Sequence, residues 1–252
     1  MIAVISPAKN MRRAPSPLPP SEPQFLPQAR RLLAELRGYS PWRLAHEMRI
    51  NDGLAQRAFT DFADMDLSQP GTPALLSYHG LQYLNLGPET LSAQELLFLQ
   101  EHLRIVSGFY GLLRPLDGIW PYRLELGGKL RFFGQTLYGY WGDAIYRALF
   151  ASAETVVNLS SGEYTKAFTP YLCAEDAFIT VDFLEPKPGG KLVMRATAAK
   201  MARGRMARFI ARRRVDDPQE LKEFCWGGYR YAPALSSHAR WAFVREGRAG
   251  DE

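Results

Sequence analysis

Apolar and polar residues follow two different periods along this chain, one typical of helices and one typical of strands. The run 1–6 is apolar and is closed by Pro7, as expected for a buried strand. Strands and helices interleave from end to end, so we predict an α/β chain in which helices surround a mixed sheet. Further strands are predicted at 74–78, 156–160, 177–183, 191–196 and 240–245, and helices at 28–36, 43–50, 51–62, 140–150, 199–213 and 218–224.

A second region combines a helix start with a glycine-containing turn. Ser92 and Glu95 match the capping-box pattern, which predicts a helix running to about Val106. A turn and a second short helix would then resemble a helix-hairpin-helix, in which Gly108 and Gly111 let the backbone approach a phosphate. The alternative is that Gly108 ends the helix and the aromatic residues after it belong to the core.

The composition favours one domain over residues 1–252, with residues 247–252 frayed, because no repeat, low-complexity block or linker interrupts the chain. No apolar run approaches the roughly 18 residues that a membrane span needs. The N-terminal apolar stretch is too short for a signal peptide. Cys173 and Cys225 form no disulfide framework. We therefore expect a cytoplasmic protein that makes no membrane contact.

Positive charge is concentrated near the C-terminal third of the chain. The net charge is +5, and the stretch 187–214 contains ten lysine or arginine residues and no acidic residue. On the predicted helix 199–213, Arg205, Arg208 and Arg212 form a stripe beside the apolar face. Gly204 indicates that something approaches the helix closely, either a phosphate backbone or another segment of the protein. This pattern favours nucleic-acid binding, with a solvated basic face as the alternative.

Candidate catalytic residues follow predicted strands, where α/β proteins place their sites. None of the four histidines pairs with a histidine or cysteine at metal-ligand spacing, so we expect no metal and no cofactor. A lysine with a lowered pKa could act as a nucleophile on DNA or a nucleobase, beside Glu163 or Asp143. The alternative is that these lysines contact phosphates or cap helices. The candidate lysines are Lys9, Lys166 and Lys200.

Several ordered segments resemble the YaaA-like peroxide stress resistance family along most of the chain. They comprise residues 5–9 (ISPAK), 103–117 (LRIVSGFYGLLRPLD), 121–125 (PYRLE), 140–143 (YWGD), 158–161 (NLSS), 163–166 (EYTK) and 199–210 (AKMARGRMARFI). The resemblance implies a cytosolic, DNA-binding protein that protects cells against hydrogen peroxide. It also implies a single-domain fold with a positively charged cleft and a helix-hairpin-helix-like element.

The family-like segments retain the cations expected to contact duplex DNA through its phosphates. We expect a monomer that binds DNA in this way, with a lysine-dependent DNA enzyme and an iron-handling protein as alternatives. The chain departs from the family pattern at His79, Leu81 and Gly162 and after Phe224. The expected nucleic-acid contacts are Lys9, Gly108, Gly111, Arg114, Arg123, Lys166, Lys200, Arg203, Arg205 and Arg208.

Overall fold

The strands and helices alternate along the chain in a computed structural model that describes residues 1–151 and 153–245. The strands are β1 (Ile2–Ile5), β2 (Asn10–Met11), β3 (Thr72–Pro73), β4 (Tyr78–His79), β5 (Leu103–Ser107), β6 (Gly111–Leu113), β7 (Gly118–Ile119), β8 (Val156–Asn158), β9 (Phe178–Pro186), β10 (Leu192–Val193), β11 (Tyr229–Tyr231) and β12 (Arg240–Arg245). The helices are α1 (Leu26–Arg37), α2 (Pro41–Met48), α3 (Asp52–Asp64), α4 (Ala74–Ser77), α5 (Leu81–Leu86), α6 (Ala93–His102), α7 (Leu137–Trp141), α8 (Ala144–Phe150), α9 (Gly162–Thr165) and α10 (Ala196–Arg213). Short 3-10 helices lie at Pro88–Thr90, Thr169–Tyr171, Pro218–Glu223 and Pro233–Leu235.

The main sheet is mixed, with five parallel strands at its centre in the order β12, β9, β8, β1, β5. Antiparallel β11 and β6 form its two edges, and β10 pairs with the end of β9. Every residue of β1 is buried, which is typical of a parallel strand covered on both faces. The α/β fold with a mixed sheet is therefore confirmed.

Local sequence signals place several helix ends where they were predicted. The Asn51 side chain accepts a hydrogen bond of 2.9 Å from the Leu54 N–H and so caps α3. Ser92 and Glu95 form both halves of the capping box that begins α6. These caps satisfy backbone N–H groups that have no partner inside the helix.

The helix predicted to reach Val106 ends instead at His102, and the next five residues form β5 beside β1. Ile105 and Val106 are β-branched and suit a strand. Arg104 is only 8% exposed, and its guanidinium donates to the carbonyl oxygens of Gln100 and Leu103. Pairing with β1, a contact between distant parts of the chain, therefore decided the conformation of this segment.

The segment after β5 is a hairpin and not a second helix. β6 pairs antiparallel with β5, and Ser107 lies opposite Gly111 across the turn. The interpretation of residues 92–114 as a helix-hairpin-helix-like element is therefore wrong. The alternative given for these glycines is closer to the structure, because the aromatic side chains of Phe109 and Tyr110 are fully buried.

Two smaller predictions also need correction. Residues 74–77 form α4, a single helical turn whose side chains are all buried, and not a strand. The helix predicted at 140–150 is two helices, α7 and α8, separated at Gly142 with φ +48°. A continuous apolar run does not by itself separate a short buried helix from a strand.

Within the described residues, no helix is both long and apolar enough to cross a membrane. The predicted strand at 240–245 is present as β12. The prediction that residues 247–252 are frayed falls outside the described residues.

Candidate functional site at the carboxyl edge of the sheet

The loops after β1 and β8 meet at the carboxyl edge of the sheet. The chain passes from β1 to β5 on one side and later returns to β8 on the other, so a topological switch lies beside β1. The Ser161 N–H donates to Ser6 Oγ over 2.8 Å and joins the two loops. In open α/β sheets, ligands bind in the crevice at such a switch point.

The loop after β8 is held by a buried hydrogen-bond network. Asn158 Oδ1 accepts from the Ser160 N–H at 2.9 Å and from its hydroxyl at 2.7 Å. Asn158 Nδ2 donates to Thr165 Oγ1 over 3.1 Å. These polar side chains have protein partners and therefore serve to position α9, which carries Glu163 and Tyr164 at the carboxyl edge.

Lys9 lies at the junction of three cavities with volumes of about 320, 660 and 280 Å³, which we call together the Lys9 groove. Its ammonium group pairs with Glu125 Oε2 at 2.9 Å, and Arg123 pairs with the other oxygen of the same carboxylate at 3.1 Å. Glu163 Oε1 accepts from the Gly127 N–H at 3.0 Å on the same side. The Glu125 carboxylate thus bridges two basic side chains of the groove, and Glu163 binds the backbone of the loop beside them.

The described residues that line the Lys9 groove include ten lysine or arginine side chains and four carboxylates. The excess of cations favours anionic ligands. Among the described residues, no group of three or more histidine, cysteine, aspartate or glutamate side chains is arranged to hold a metal ion. The cations are Lys9, Arg12, Arg13, Arg49, Arg57, Arg123, Lys129, Lys166, Lys200 and Arg203.

Comparison with known proteins identifies the family. The family model described as "Peroxide stress protein YaaA" matches residues 1–235. The chain belongs to the YaaA peroxide stress family. Among similar curated proteins, the UPF0246 protein of Limosilactobacillus fermentum is 44% identical over 248 residues, covering 98% of this chain and 100% of the relative. The UPF0246 proteins of Lactobacillus johnsonii and Agathobacter rectalis are 43% and 37% identical, covering 96% and 98% of this chain and 96% and 99% of their own lengths.

Five of the cations expected from the YaaA family resemblance line the Lys9 groove, although they come from four separate segments of the sequence. Lys9 borders all three cavities, and Arg123 borders two of them. Lys166 lines the largest cavity. Lys200 and Arg203, from the first turns of α10, line the smallest cavity.

Two other candidate residues are used elsewhere. Arg114 donates to the buried carboxylate of Asp117 at 3.0 Å and does not line the groove. Asp143, a catalytic candidate, forms an exposed ion pair with Arg147 one turn along α8. Asp143 is not among the residues that line the groove, whereas Glu163 is.

Gly108 and Gly111 are in the interior and not at the surface. A β-carbon on Gly108 would lie 2.5 Å from the Leu124 carbonyl oxygen. One on Gly111, where φ is +73°, would lie 2.8 Å from the Trp141 ring. These glycines allow close packing of the hairpin, so the expectation that their N–H groups contact DNA phosphates is wrong.

The arginine stripe of α10 holds the helix to neighbouring segments. Arg205 donates to Asn85 Oδ1 at 3.2 Å, and Arg208 donates to the Leu86 carbonyl oxygen at 2.8 Å. Gly204 allows α5 to approach α10, since a β-carbon there would lie 2.0 Å from the Gln82 carbonyl oxygen. Of the two explanations for this glycine, the approach of another protein segment is the correct one.

The smallest cavity of the Lys9 groove contains two buried polar side chains with incomplete hydrogen bonding. Arg203 is 8% exposed, its Nε has no hydrogen-bond partner within the described residues, and one terminal nitrogen contacts Met194 Sδ at 3.6 Å. Burial lowers the pKa of the Arg203 guanidinium, and Asp182 offsets this in part. Tyr164 is also 8% exposed, and burial, followed by the charge of Glu163, raises the pKa of its hydroxyl.

Sequence reasoning missed part of the groove. Arg12 and Arg13 follow Lys9 in a proline-rich loop, while Arg49 and Arg57 come from the region of α2 and α3. The available signal was the adjacent Arg12-Arg13 pair a few residues beyond the first strand. His79 and Leu81, two departures from the YaaA family pattern, line the smallest cavity, and Gly162 begins α9.

Proposed function

We propose that this protein binds duplex DNA through phosphate contacts in the Lys9 groove and thereby protects DNA during peroxide stress. The observation that carries the proposal is the convergence of Lys9, Arg123, Lys166 and Lys200 on three cavities that all border Lys9, with an excess of cations over carboxylates. Phosphate contacts supply most of the affinity of sequence-independent DNA binding. Membership of the peroxide stress family supplies the physiological setting.

The test is a salt titration of DNA binding with a groove variant and a matched control. Lys166 and Lys200 are exposed and line the groove, so Lys166→Ala/Lys200→Ala removes two cations without opening the core. Each phosphate contact contributes about −0.9 to the slope of log K against log salt. The groove variant should therefore flatten the slope by about 1.8 units, as measured by fluorescence anisotropy on a duplex of mixed sequence.

The control is Arg147→Ala/Arg213→Ala, which removes the same charge from exposed positions outside the groove. Its slope should match that of the wild-type protein. Because phosphates carry no base identity, the groove variant should weaken binding almost equally for all duplex sequences. Equal slopes for the groove variant and the wild-type protein would contradict the proposal.

A further inference from the structure

The smallest cavity of the Lys9 groove is lined by a buried guanidinium, Arg203, that forms no ion pair with any described residue. We call it the switch-point pocket and define it by Ser6, Gln82, Tyr164, Lys200 and Arg203. It has a volume of about 280 Å³, near the lower end of the range for small-molecule sites, roughly 300 Å³. It lies at the end of the neighbouring strands β1 and β8. The chain continues from β1 to β5 on one side and returns to β8 on the other, and ligands usually bind at such a switch point in open α/β sheets.

The buried guanidinium of Arg203 indicates that a ligand of this pocket carries negative charge. A buried guanidinium is costly unless an anion and further hydrogen bonds compensate it. Arg203 has no carboxylate within ion-pairing distance among the described residues, and Asp182, which acts on it at longer range, is paired with Arg240. Lys200, one turn before Arg203 on α10, lines the same pocket. Both cations would be satisfied by a phosphate group.

The remaining polar groups indicate that the ligand extends beyond a bare anion. The Tyr164 hydroxyl makes no hydrogen bond to any described residue, although Tyr164 is more than nine-tenths buried. Within the described part of the chain, the Gln82 amide makes only a long contact of 3.4 Å to the Ser6 carbonyl oxygen. A hydroxyl and an amide without strong partners can recognise neutral donors and acceptors, such as those of a sugar or a base.

We propose that the switch-point pocket binds a phosphate monoester of mononucleotide size or smaller, with Arg203 and Lys200 on the phosphate and Tyr164 and Gln82 on the neutral part. This goes beyond the proposed function, because the pocket holds one small molecule and not a duplex. Arg203 is the principal phosphate ligand, since no carboxylate of the described residues lies within ion-pairing distance of it and Asp182, which acts on it at longer range, is paired with Arg240.

The experiment measures binding of defined probes to the whole protein by calorimetry. The probes are inorganic phosphate, the four deoxynucleoside 5′-monophosphates, deoxyribose 5-phosphate and glucose 6-phosphate, with unphosphorylated nucleosides as controls. At least one ester should bind 10-fold or more tightly than inorganic phosphate. Arg203→Met should weaken its binding on the order of 30-fold and Tyr164→Phe about 5-fold, the usual effects of losing a charged and a neutral hydrogen bond.

Thermal melting separates a ligand-binding role of Arg203 from a structural one. Methionine is similar in length and removes a buried charge that lacks a partner, so ligand-free Arg203→Met should melt at the same temperature as the wild-type protein or higher. Esters that bind no better than inorganic phosphate, or that bind unchanged to both variants, would overturn the proposal. A lower melting temperature of Arg203→Met would likewise overturn it, because Arg203 would then be a structural residue.

A further measurement distinguishes binding of a free phosphate ester from binding of the phosphate groups within DNA. A single-stranded oligonucleotide carries phosphodiesters only, so binding that depends on Arg203 with the oligonucleotide but not with the esters would also overturn the proposal. The duplex titration with Lys166→Ala/Lys200→Ala and its control remains an independent test of DNA binding. If the esters fail to bind but Lys166→Ala/Lys200→Ala still flattens the salt slope, the pocket proposal alone is wrong. If the esters bind but the salt slope is unchanged, the DNA-binding proposal alone is wrong.

Discussion

The carbonyl oxygen of Gln82 lies directly against Gly204, at a point where a β-carbon would be 2.0 Å away. This contact joins α5 to α10 and so brings Gln82 to the pocket that Arg203 also lines. The oxygen belongs to backbone, so it has no rotamer by which to move aside. The close approach of the two helices is therefore a condition for the geometry of the site.

Gly204→Ala should destabilise the protein, although alanine is the better helix former by about 1 kcal/mol. The new methyl group would separate α5 from α10, and we expect a net loss of about 2–3 kcal/mol, within the usual range for overpacking. Denaturant unfolding measures the change. Gly162→Ala is the control and should stay within about 0.5 kcal/mol, because its added carbon would meet no atom within 4 Å from elsewhere in the described residues. Equal stability of the two variants would contradict the packing argument.

Arg208→Ala should destabilise the protein and leave the salt slope of DNA binding unchanged. Arg208 donates to the Leu86 carbonyl oxygen at 2.8 Å and to Thr90 Oγ1 at 2.7 Å, so its loss leaves these acceptors without a strong donor. We expect a cost of about 2 kcal/mol in denaturant unfolding. Arg213→Ala, on the same helix but 62% exposed at its side chain, should cost about 0.5 kcal/mol or less. A flattened salt slope for Arg208→Ala would instead make Arg208 a DNA contact.

Borohydride should not trap a covalent adduct between this protein and DNA that contains an abasic site. Lysine imine chemistry requires a neutral amine, whereas Lys9 is exposed and its ammonium is paired with Glu125 at 2.9 Å. The assay compares gel shifts of denatured samples with and without borohydride. An adduct that disappears in Lys9→Ala and persists in Arg147→Ala would support the lysine-dependent enzyme instead.

The melting temperature should fall in acid, in part because Glu95 becomes protonated. Burial acts to raise the pKa of this carboxyl, but hydrogen bonds from the Ser92 backbone and hydroxyl, together with Arg212, lower it below the ordinary value of 4.5. The folded pKa is therefore depressed, so the contribution of Glu95 is fully present above about 4.5 and is lost as pH falls through the folded pKa. Glu95→Gln should flatten the decline in melting temperature over this range, and the exposed Glu101→Gln should not. Identical pH profiles for Glu95→Gln and the wild-type protein would rule out this contribution.

Much of the fold could be predicted from local patterns. The apolar first strand, the caps at Asn51 and Ser92 and the long helix 199–213 depend on neighbours within a few residues, and the structure has all four. The central strand β5 was missed because its sequence also suits a helix. Its conformation depends on hydrogen bonds to β1, about a hundred residues away in the chain.

The candidate site could also be predicted only in part. The sequence by itself determined the family, the excess of positive charge and half of the cations that line the groove, because residue type and order are sufficient for these. Only the tertiary structure decided which cations face the groove and which, like Arg208, hold one helix to another. It also decided that Gly108 and Gly111 pack in the core and that Arg203 is buried with no ion-pair partner among the described residues. These side chains and glycines are buried by segments that are distant in sequence. The pattern of charges along the chain does not specify which segments will pack against a given residue.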